Sequence, residues 1–415
     1  MDVSSSPPIE RLRPDFMHRP FELFARLRAE GPAREVVMPH GAKVWMVTRY
    51  EDVRALLTDP RVSKEGTRMN EMFARHSGVP LEEDSTGVGF DDDLSAHMMN
   101  SDPPRHTRLR KLVTKAFTAR RMEALRPRVG EVAEELLAAL DPAGEVDLIR
   151  QFAMPLPITI VFDLLGVPLE DRDAFRGWAE KLVGAGHDPD EVAEASRRVT
   201  EYSHQLIDAK LAHPDDALVS ALAEVTEDGD RLTRSELVAM IFLLLAAGSE
   251  TPANQIGLAV HALLNFPEEL AKLRVHPELM PAAVEELLRY DSGVGTASFR
   301  FTTAEIDVDG VTIPAEEMLV LSFGSANRDP DHFPEPDRLD LDRHPAGALA
   351  FGFGIHYCVG APLARIIMEE SLGRLITRFP ELRLAVPEHE LTFIDSTLVH
   401  GLAELPVLLG PADGS

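Results

Sequence analysis

The chain has 415 residues, 44% of them hydrophobic, and carries a formal net charge of −27 at pH 7. Such an excess of acidic side chains argues against general nucleic-acid binding. The length gives a prior of about two or three domains. However, no Ser/Gly-rich linker, charge block or internal repeat divides the sequence, so we expect one large domain over residues 15–410.

The composition also bears on compartment and fold class. The only cysteine is Cys358, so no intrachain disulfide can form, which fits a reducing cytoplasm. Residues 1–14 are polar and contain prolines, which predicts a flexible N-terminus and neither a signal peptide nor a membrane anchor. Aromatic residues make up only 6%, while Ala, Leu, Glu and Arg are abundant, which favours a mainly α fold with a minor β region.

The N-terminal part of the chain combines short predicted elements with one long loop. The predicted elements are a helix over 21–27, a hairpin formed by Arg34–Met38 and Lys43–Thr48, and a helix over 50–57. From Ser63 to Met99 the sequence is rich in Gly, Asp, Glu and Ser, and irregular segments of this length are usually lids or binding loops. The loop ends in Met98 and Met99, flexible apolar residues that suit either a ligand surface or an ordinary core.

A basic segment follows on this otherwise acidic chain. Seven Lys or Arg residues and no acidic residue lie between Arg105 and Arg121. Within the segment, His106 and Arg110 are four residues apart and share one face of a predicted helix. The segment is either a solvated helix face or a surface that meets an anion.

A long apolar helix is predicted in the middle of the chain. Thr233 and Glu236 have the spacing of a capping box. The residues from Leu237 to Ala247 are all apolar, which predicts a helix buried on every side, and the run is too short to span a bilayer. Glu250 and Thr251 interrupt this apolar surface. Because burying polar groups without partners is unfavourable, we expect them to be functional or, for the threonine, hydrogen-bonded to the helix backbone.

Two further local patterns lie between this helix and the cysteine. Pro281 begins a predicted helix in which Glu286 and Arg289 share a face, an arrangement that by itself is a common surface ion pair. Asp309-Gly310 lies between alternating apolar residues and predicts a two-residue hairpin. This hairpin belongs to the expected minor β region.

The segment around Cys358 carries the strongest functional signal. Three glycines surround the thiol and a helical pattern follows at once, so Cys358 lies at a helix N-terminus, where backbone N–H groups and the helix dipole favour a thiolate. A structural zinc site needs more than one cysteine, and His356, on the same loop, makes a poor general base for a nucleophilic thiol. A buried core cysteine needs no flanking glycines. Ligation of haem iron remains, and it requires a single thiolate.

The pattern from Phe351 to Arg365 is Phe-Gly-x-Gly-x-His-x-Cys-x-Gly-x-x-Leu-Ala-Arg, and it resembles the haem-binding signature of the cytochrome P450 family. The resemblance extends over nearly the whole chain and implies a mainly α, P450-like single domain of the soluble, ferredoxin-dependent bacterial type. Its cofactor would be haem b, iron protoporphyrin IX, with Cys358 as the iron ligand. The other residues of this loop expected against the haem are Phe351, Gly352, His356 and Gly360.

A second motif of the family is matched by Ala247, Gly248, Glu250 and Thr251, which resemble its oxygen-activation segment. By that resemblance Thr251 would hydrogen-bond the bound O2 and Glu250 would relay protons, while Ala247 and Gly248 would lie against the haem. Pro252 stands where the family usually has Thr or Ser. Because proline has no N–H, we expect it to leave the Gly248 carbonyl free and to fix a local opening of the helix.

The resemblance also assigns roles to charged residues. The haem propionates would be bound by His106, Arg110, Arg300 and His356. Glu286 and Arg289 match the Glu-x-x-Arg pair that locks the region before the haem loop, and the third partner of this structural pair would be Arg343 or the poorer match Arg338. An acidic ferredoxin, itself reduced by a ferredoxin reductase, would dock on basic side chains of the thiolate side. Those side chains are Arg105, Arg108, Lys111 and Lys115.

The implied activity is the insertion of one oxygen atom from O2 into a small apolar or amphipathic molecule, by hydroxylation or epoxidation, in the cytoplasm and without a membrane. Polyketide, macrolide, terpenoid and steroid skeletons are the expected substrate classes, because small residues at 247, 293, 295 and 297 suggest a roomy pocket. By family position the pocket would be lined by Met98, Met99, Leu243, Leu244, Ala247, Val294, Thr296, Leu398 and Val399. The alternatives are a peroxide-driven or coupling haem-thiolate enzyme and a non-catalytic haem sensor.

Overall fold

The computed structural model describes residues 9–77, 92–183, 188–227 and 229–411. Within these ranges the α-helices are α1 (Pro20–Glu30), α2 (Tyr50–Leu56), α3 (Gly66–Ser77), α4 (Asp92–Ser95), α5 (Arg105–Ala116), α6 (Ala119–Glu123), α7 (Arg126–Ala139), α8 (Pro155–Leu165), α9 (Arg172–Val183), α10 (Pro189–Ala212), α11 (Leu218–Glu224), α12 (Arg234–Asn265), α13 (Pro267–Val275), α14 (Met280–Tyr290), α15 (Phe323–Ala326) and α16 (Ala361–Arg378). Residues 1–8 of the predicted flexible N-terminus and residues 78–91 of the predicted binding loop lie outside the described residues.

The strands are short and fewer residues belong to them than to the helices, so the fold is mainly α with a minor β region, as the composition predicts. They are β1 (Glu10–Arg11), β2 (Ala33–Val37), β3 (Lys43–Val47), β4 (Val62–Ser63), β5 (Glu145–Asp147), β6 (Arg300–Thr302), β7 (Ile306–Val308), β8 (Val311–Ile313), β9 (Met318–Leu321), β10 (Arg383–Leu384) and β11 (Pro406–Leu408). Turns of 3-10 helix cover Pro14–Met17, Met98–Asn100, Leu169–Asp171, Pro277–Leu279, Gly354–His356 and Glu388–Glu390, and Ile149–Ala153 is a π-helix.

The main sheet joins the N-terminal part of the chain to the segment before the cysteine. Its strand order is β1-β2-β3-β9-β6-β4. The predicted hairpin is confirmed, since β2 and β3 are antiparallel with Ala33 opposite Val47. At the far edge β4 pairs antiparallel with β6, with Ser63 opposite Phe301. This register brings residue 64 beside residue 300.

The predicted two-residue hairpin between β7 and β8 is also confirmed. Asp309 and Gly310 have φ values of 47° and 85°, the left-handed conformation that such a tight turn requires. Asp and Gly are residues that adopt this conformation readily. A third small sheet has the order β10-β11-β5 and ties the C-terminal segment to the helical part of the chain.

Two predicted boundaries in the N-terminal part of the chain were wrong. The domain does not begin at residue 15, because Glu10 and Arg11 already pair in parallel with Val36 and Val37. The segment predicted to be irregular from Ser63 to Met99 contains helix α3, whose apolar side chains pack on the main sheet beneath it. Those side chains, Met69, Met72 and Phe73, are spaced as on one helix face, but the polar composition of the segment obscures this periodicity.

Helix α12 lies at the centre of the molecule, packed against α8, α16 and the π-helix. The predicted capping box is present, since the Glu236 amide donates to Thr233 Oγ1 at 3.2 Å and the Thr233 amide donates to Glu236 Oε2 at 2.8 Å. Among the described helices, α12 is the one long and apolar enough to cross a membrane. The prediction that its apolar run is too short to span a bilayer is therefore wrong. Its burial indicates a core helix instead, because 61% of its most apolar 18-residue window lies inside the protein.

Candidate active site

Cys358 lies in a loop that folds back on itself just before α16. Its amide donates to the Phe351 carbonyl at 3.0 Å, and Gly352 and Gly354 adopt φ values of 71° and 75° to make this return possible. The thiol is accessible and forms no disulfide. Burial raises the pKa of the Cys358 thiol, although backbone N–H groups at the start of α16 oppose the rise. A metal ion bound to the sulfur would hold it as a thiolate.

A buried ion-pair cluster supports the segment that precedes this loop. Glu286 and Arg289 are fully buried, with Arg289 Nε 2.7 Å from Glu286 Oε2. Arg343 Nε donates to the other carboxylate oxygen of Glu286 at 3.1 Å, while Arg338 contributes its carbonyl and not its guanidinium. Arg289 also donates to the Asn327 carbonyl at 3.0 Å. The better match in the sequence, Arg343, is thus the residue that lies on Glu286.

On α12 the hydroxyl of Thr251 donates to the Ala247 carbonyl at 2.7 Å, and the hydroxyl of Ser249 donates to the Leu245 carbonyl at 2.6 Å. The sequence left open whether Thr251 bonds to its own helix or to a ligand, and in this structure its proton is directed at the helix. The hydroxyl oxygen of Thr251 can therefore accept a hydrogen bond from a ligand. Helix α12 continues through Pro252 without a break, so the expected local opening of the helix at this proline is not seen.

Glu250 differs from Ser249 and Thr251 because its side chain, unlike their hydroxyl groups, has no partner among the described residues. Within the described ranges it forms neither an ion pair nor a hydrogen bond. Burial alone raises its pKa. A carboxyl group in this state binds and releases protons nearer to neutral pH than an exposed one, which is the property that a proton relay requires.

The four residues expected at the haem propionates come together in the structure. The rings of His106 and His356 are 4.3 Å apart, and both ring nitrogens of His106 are buried without a hydrogen-bond partner among the described residues. Arg300 is only 5% exposed, and its guanidinium donates to the Ser298 carbonyl at 3.0 Å. Burial together with neighbouring cations lowers the pKa of His356 to about 2. Arg110 completes the group, half-buried on α5.

One member of this group was missed at the sequence level. Lys64, at the end of β4, is only 7% exposed and lies near Arg300 and His356. A single lysine after a short strand gives no motif, so only the pairing of β4 with β6 reveals where it lies.

The residues predicted to line a substrate pocket are only partly brought together. Val294 pairs with Val399, and the Gly295 amide donates to the Leu398 carbonyl at 3.1 Å, so two loops meet as predicted. Thr296 is only 1% exposed, and its hydroxyl donates to the Thr397 carbonyl, so it joins the loops and does not face a ligand. The predicted residues Met98, Leu243 and Leu244 are buried, while Ala247 and Met99 are exposed.

The inference of a roomy pocket from small residues was wrong at two of its positions. A Cβ atom on Gly293 would lie 3.2 Å from the Thr251 carbonyl oxygen and from the Gln255 amide nitrogen of α12. A Cβ atom on Gly295 would collide with the side chain of Met17. These glycines therefore let the loop pack closely on its neighbours, and they say nothing about pocket volume.

Comparison with known proteins agrees with this arrangement. A family model described as cytochrome P450 matches residues 274–400. The sequence is 47% identical to cytochrome P450 107B1 of Saccharopolyspora erythraea over 93% of this chain and 94% of that protein. The chain belongs to the cytochrome P450 family. This P450 is also 40% identical to mycinamicin IV hydroxylase/epoxidase of Micromonospora griseorubida, over 93% of its own length and 94% of the relative's.

A solved structure of a relative supports the same assignment. The tirandamycin C-bound P450 monooxygenase TamI is 42% identical, covers 97% of this chain and 100% of its own, and superposes with a TM-score of 0.85. The protein is a cytochrome P450 monooxygenase, and its cofactor is haem b. The residues fit this cofactor. Cys358 offers an accessible sulfur, and among the described residues neither the buried nitrogens of His106 nor the guanidinium of Arg300 has the hydrogen-bonded anion that a propionate would supply.

Proposed function

We propose that this P450 hydroxylates or epoxidises a macrolide or another polyketide product of secondary metabolism. The observation that carries the proposal is the similarity to mycinamicin IV hydroxylase/epoxidase over 93% of the chain. Other relatives of this chain are also hydroxylases or epoxidases of macrolide and polyketide biosynthesis. The half-buried apolar side chains of Val294 and Leu398, together with the exposed Ala247, suit a bulky apolar ligand.

In this proposal each residue has a separate task. Haem, held through the Cys358 sulfur, supplies the binding and reductive activation of O2. Glu250 takes up protons from solvent and holds them on its carboxyl group, because burial raises its pKa. Thr251 passes the proton on when its hydroxyl rotates away from the Ala247 carbonyl. Arg110 and Arg300 hold the propionates by charge-assisted hydrogen bonds.

The test of the substrate class is a binding and turnover panel. The purified holoenzyme is titrated with mycinamicin IV, tirandamycin C, a sugar-free macrolactone and, for the steroid class, vitamin D3, and displacement of the iron-bound water is read from the haem absorption spectrum. We expect a polyketide ligand to give the largest spectral change and a product with one added oxygen atom in the presence of ferredoxin, reductase, NADPH and O2. Binding and oxidation of vitamin D3 alone would overturn the proposal. Equal product formation with peroxide alone would favour the peroxide-driven alternative.

We also propose a ferredoxin as electron donor, but on fewer basic residues than the sequence suggested. Arg108 is paired with Asp230 and Glu236, and Lys115 is paired with Glu227, so their charges are compensated within the chain. The side chain of Lys111 is exposed and, in the described part of the chain, has no ion-pair partner. Arg105 and Arg120 of the same basic segment are also exposed.

An apolar side chain of the cysteine loop, Ile355, lies beside basic residues of α5. Ile355 and Tyr357 of the cysteine loop are 49% and 38% exposed. Ile355 also lines a cleft of about 440 Å³ together with Arg110 and Lys111 of α5. An apolar centre with a basic rim fits an acidic redox partner, because opposite charge speeds the encounter and apolar contacts hold the complex.

The test is the rate of haem reduction by an acidic ferredoxin at increasing ionic strength. We expect Lys111→Gln to reduce this rate several-fold at low salt, and the difference from the unmodified enzyme to vanish at high salt. Lys181→Gln, on the surface of α9, is the matched control and should behave like the unmodified enzyme. A rate independent of salt in all three proteins would refute the assigned surface.

Two observations on the chain support a proposal for the location of the enzyme. The single cysteine suits a reducing compartment, and the most apolar helix, α12, is largely buried in the core. We therefore infer that the enzyme is a soluble protein of the cytoplasm.

A further inference from the structure

We propose that Lys64 is a cofactor-binding residue whose ammonium group holds a haem propionate beside Arg300. The proposal rests on the assignment of His106, Arg110, Arg300 and His356 to the propionates, and it adds a cation that no motif predicts.

The surroundings of Lys64 are unusual for a lysine. The residue is 7% exposed, and among the described residues its ammonium group has no ion pair and no hydrogen bond. Asp102 is the nearby carboxylate, but its oxygens accept from the Ser63 hydroxyl at 2.5 Å and from the Lys64 backbone amide at 3.1 Å. An ammonium group that is this deeply buried without a hydrogen-bonded anion is unfavourable. The fold therefore leaves Lys64 in need of an anion.

The position of Lys64 identifies where that anion lies. Since Ser63 is opposite Phe301 in the β4–β6 pair, the next residue in each direction places Lys64 beside Arg300. Lys64 and Arg300 are both charged neighbours of His356, and the ring of His356 lies 4.3 Å from the ring of His106. The two cations and the two rings thus surround one space, and it is the space assigned to the propionates.

The charges of this group match those of the cofactor. Arg110 and Arg300 are cations, and Asp102 is the carboxylate nearest to Lys64 and Arg300. Burial without an anion lowers the pKa of Lys64 well below its ordinary value, and a propionate beside the ammonium group would stabilise its positive charge. Three cations and one carboxylate leave two positive charges, and haem b carries two propionates. Without Lys64 one propionate would lack a counter-charge.

The alternative source of a carboxylate is an anionic substrate. A substrate carboxylate would also be attracted to Lys64, but it would neither be present in the resting enzyme nor affect how tightly haem is held. Measurements on the substrate-free holoenzyme therefore separate the two sources.

The test compares Lys64→Met and Lys64→Arg with the matched surface control Lys181→Met. Haem loss is followed by transfer from the substrate-free holoenzyme to an excess of apomyoglobin, and the propionate bending bands are recorded by resonance Raman spectroscopy. We expect Lys64→Met to lose haem about tenfold to a hundredfold faster, as for the loss of one hydrogen bond between charged groups. The propionate band should shift in this variant and not in Lys181→Met.

Lys64→Arg keeps the positive charge and serves as the second variant if Lys64→Met yields no holoenzyme. It should retain haem nearly as well as the unmodified enzyme, while its propionate band shifts because a guanidinium replaces the ammonium group. Unchanged bands, or equal haem loss in Lys64→Met and the unmodified enzyme, would overturn the proposal. A change confined to the binding of myristate, a carboxylate probe, would assign Lys64 to substrate instead.

Arg300→Gln separates this proposal from the assignment on which it rests. If Arg300→Gln speeds haem loss and Lys64→Met does not, the propionate site stands and Lys64 has no part in it. If neither variant speeds haem loss, the propionate assignment itself is wrong.

Discussion

Glu286 on α14 and Glu250 on α12 are both glutamates of core helices, yet their surroundings are opposite. Glu286 is fully buried, and its two oxygens are held by Arg289 and Arg343. Glu250 is less buried and has no counter-charge within the described ranges. The first environment pairs the carboxylate with two guanidinium groups, whereas the second raises the pKa of the carboxyl group of Glu250. One region thus uses an acid as a structural tie, and the other keeps an acid free to exchange protons.

The largest effect is expected from Glu286→Gln. The substitution leaves the fully buried guanidinium of Arg289 without its counter-charge, so we expect the free energy of unfolding to fall by about 3–5 kcal/mol and the yield of haem-loaded protein to drop. Denaturant unfolding of the holoenzyme measures the change. Glu335→Gln is the matched control because Glu335 is exposed, and it should stay within about 0.5 kcal/mol. Equal stability of both variants would show that the cluster does not hold the fold.

Glu250→Gln should do the reverse, reducing activity without reducing stability. We expect turnover to fall about a hundredfold, as for the loss of a general acid. Stability should be equal to that of the unmodified enzyme below the ordinary carboxyl pKa of 4.5, since both side chains are then neutral. Above this value the unmodified enzyme carries the penalty of ionising a buried carboxyl group, so the variant should become the more stable of the two as pH rises.

The measurements are turnover at neutral pH and thermal unfolding from acidic to neutral pH. Glu285→Gln is the control on a neighbouring core-facing helix, because Glu285 is paired with Arg365 near the surface. Full turnover in Glu250→Gln would show that protons reach the active site by another route.

The same contrast explains what the sequence could predict. The hairpin at Asp309-Gly310 and the capping box at Thr233 were predictable because each depends on a few adjacent residues. Helix α3 was missed because polar residues outnumber the apolar ones that form its buried face. The extent of the N-terminal strand β1 was missed because its pairing with β2 depends on residues far along the chain.

For the site, the sequence supplied residue types but not their partners. It could not separate Arg343 from Arg338, since both arginines follow the same helix and only the folded loop decides which reaches Glu286. It could not show that the Thr251 hydroxyl donates to the Ala247 carbonyl, because a threonine in a helix can donate either to its own helix or to a bound ligand. Lys64 was missed for the same reason, because its neighbours come from distant strands.

A further test concerns His400, which joins the two loops of the substrate pocket in a second buried ion pair. Its Nε2 lies 3.3 Å from Asp291 Oδ1, and its Nδ1 donates to the Met17 carbonyl at 2.6 Å. We expect His400→Gln to reduce the free energy of unfolding by about 1–3 kcal/mol and to weaken substrate binding, because the loop around Val294 loses its anchor. Thermal unfolding and a spectral ligand titration measure the two effects. His389→Gln, an exposed control, should change neither.

This pair also predicts a pH dependence. Burial by itself would raise the pKa of Asp291, but the charge and hydrogen bond of His400 outweigh it and lower the pKa. The stabilisation is therefore present above the ordinary value of 3.8 and is lost as pH falls through the lowered value. Acid unfolding of Asp291→Asn should lack this contribution. An identical acid transition in both proteins would contradict the role of the pair.

The smallest effect is expected from Pro252→Ser, which restores an amide next to the proton-relay residues. Proline lacks the N–H that would bond the Gly248 carbonyl, so this carbonyl is free to hold solvent near Glu250. A serine amide would bond it again, and we expect product formed per NADPH to fall roughly two- to fivefold, the effect of one hydrogen bond of about 0.5–1 kcal/mol. Pro267→Ser is the control, because Pro267 begins α13, where no helix bond is missing. If both variants couple NADPH to product as the unmodified enzyme does, the open carbonyl has no part in proton delivery. Glu250 must then draw its protons from solvent that the carbonyl does not hold.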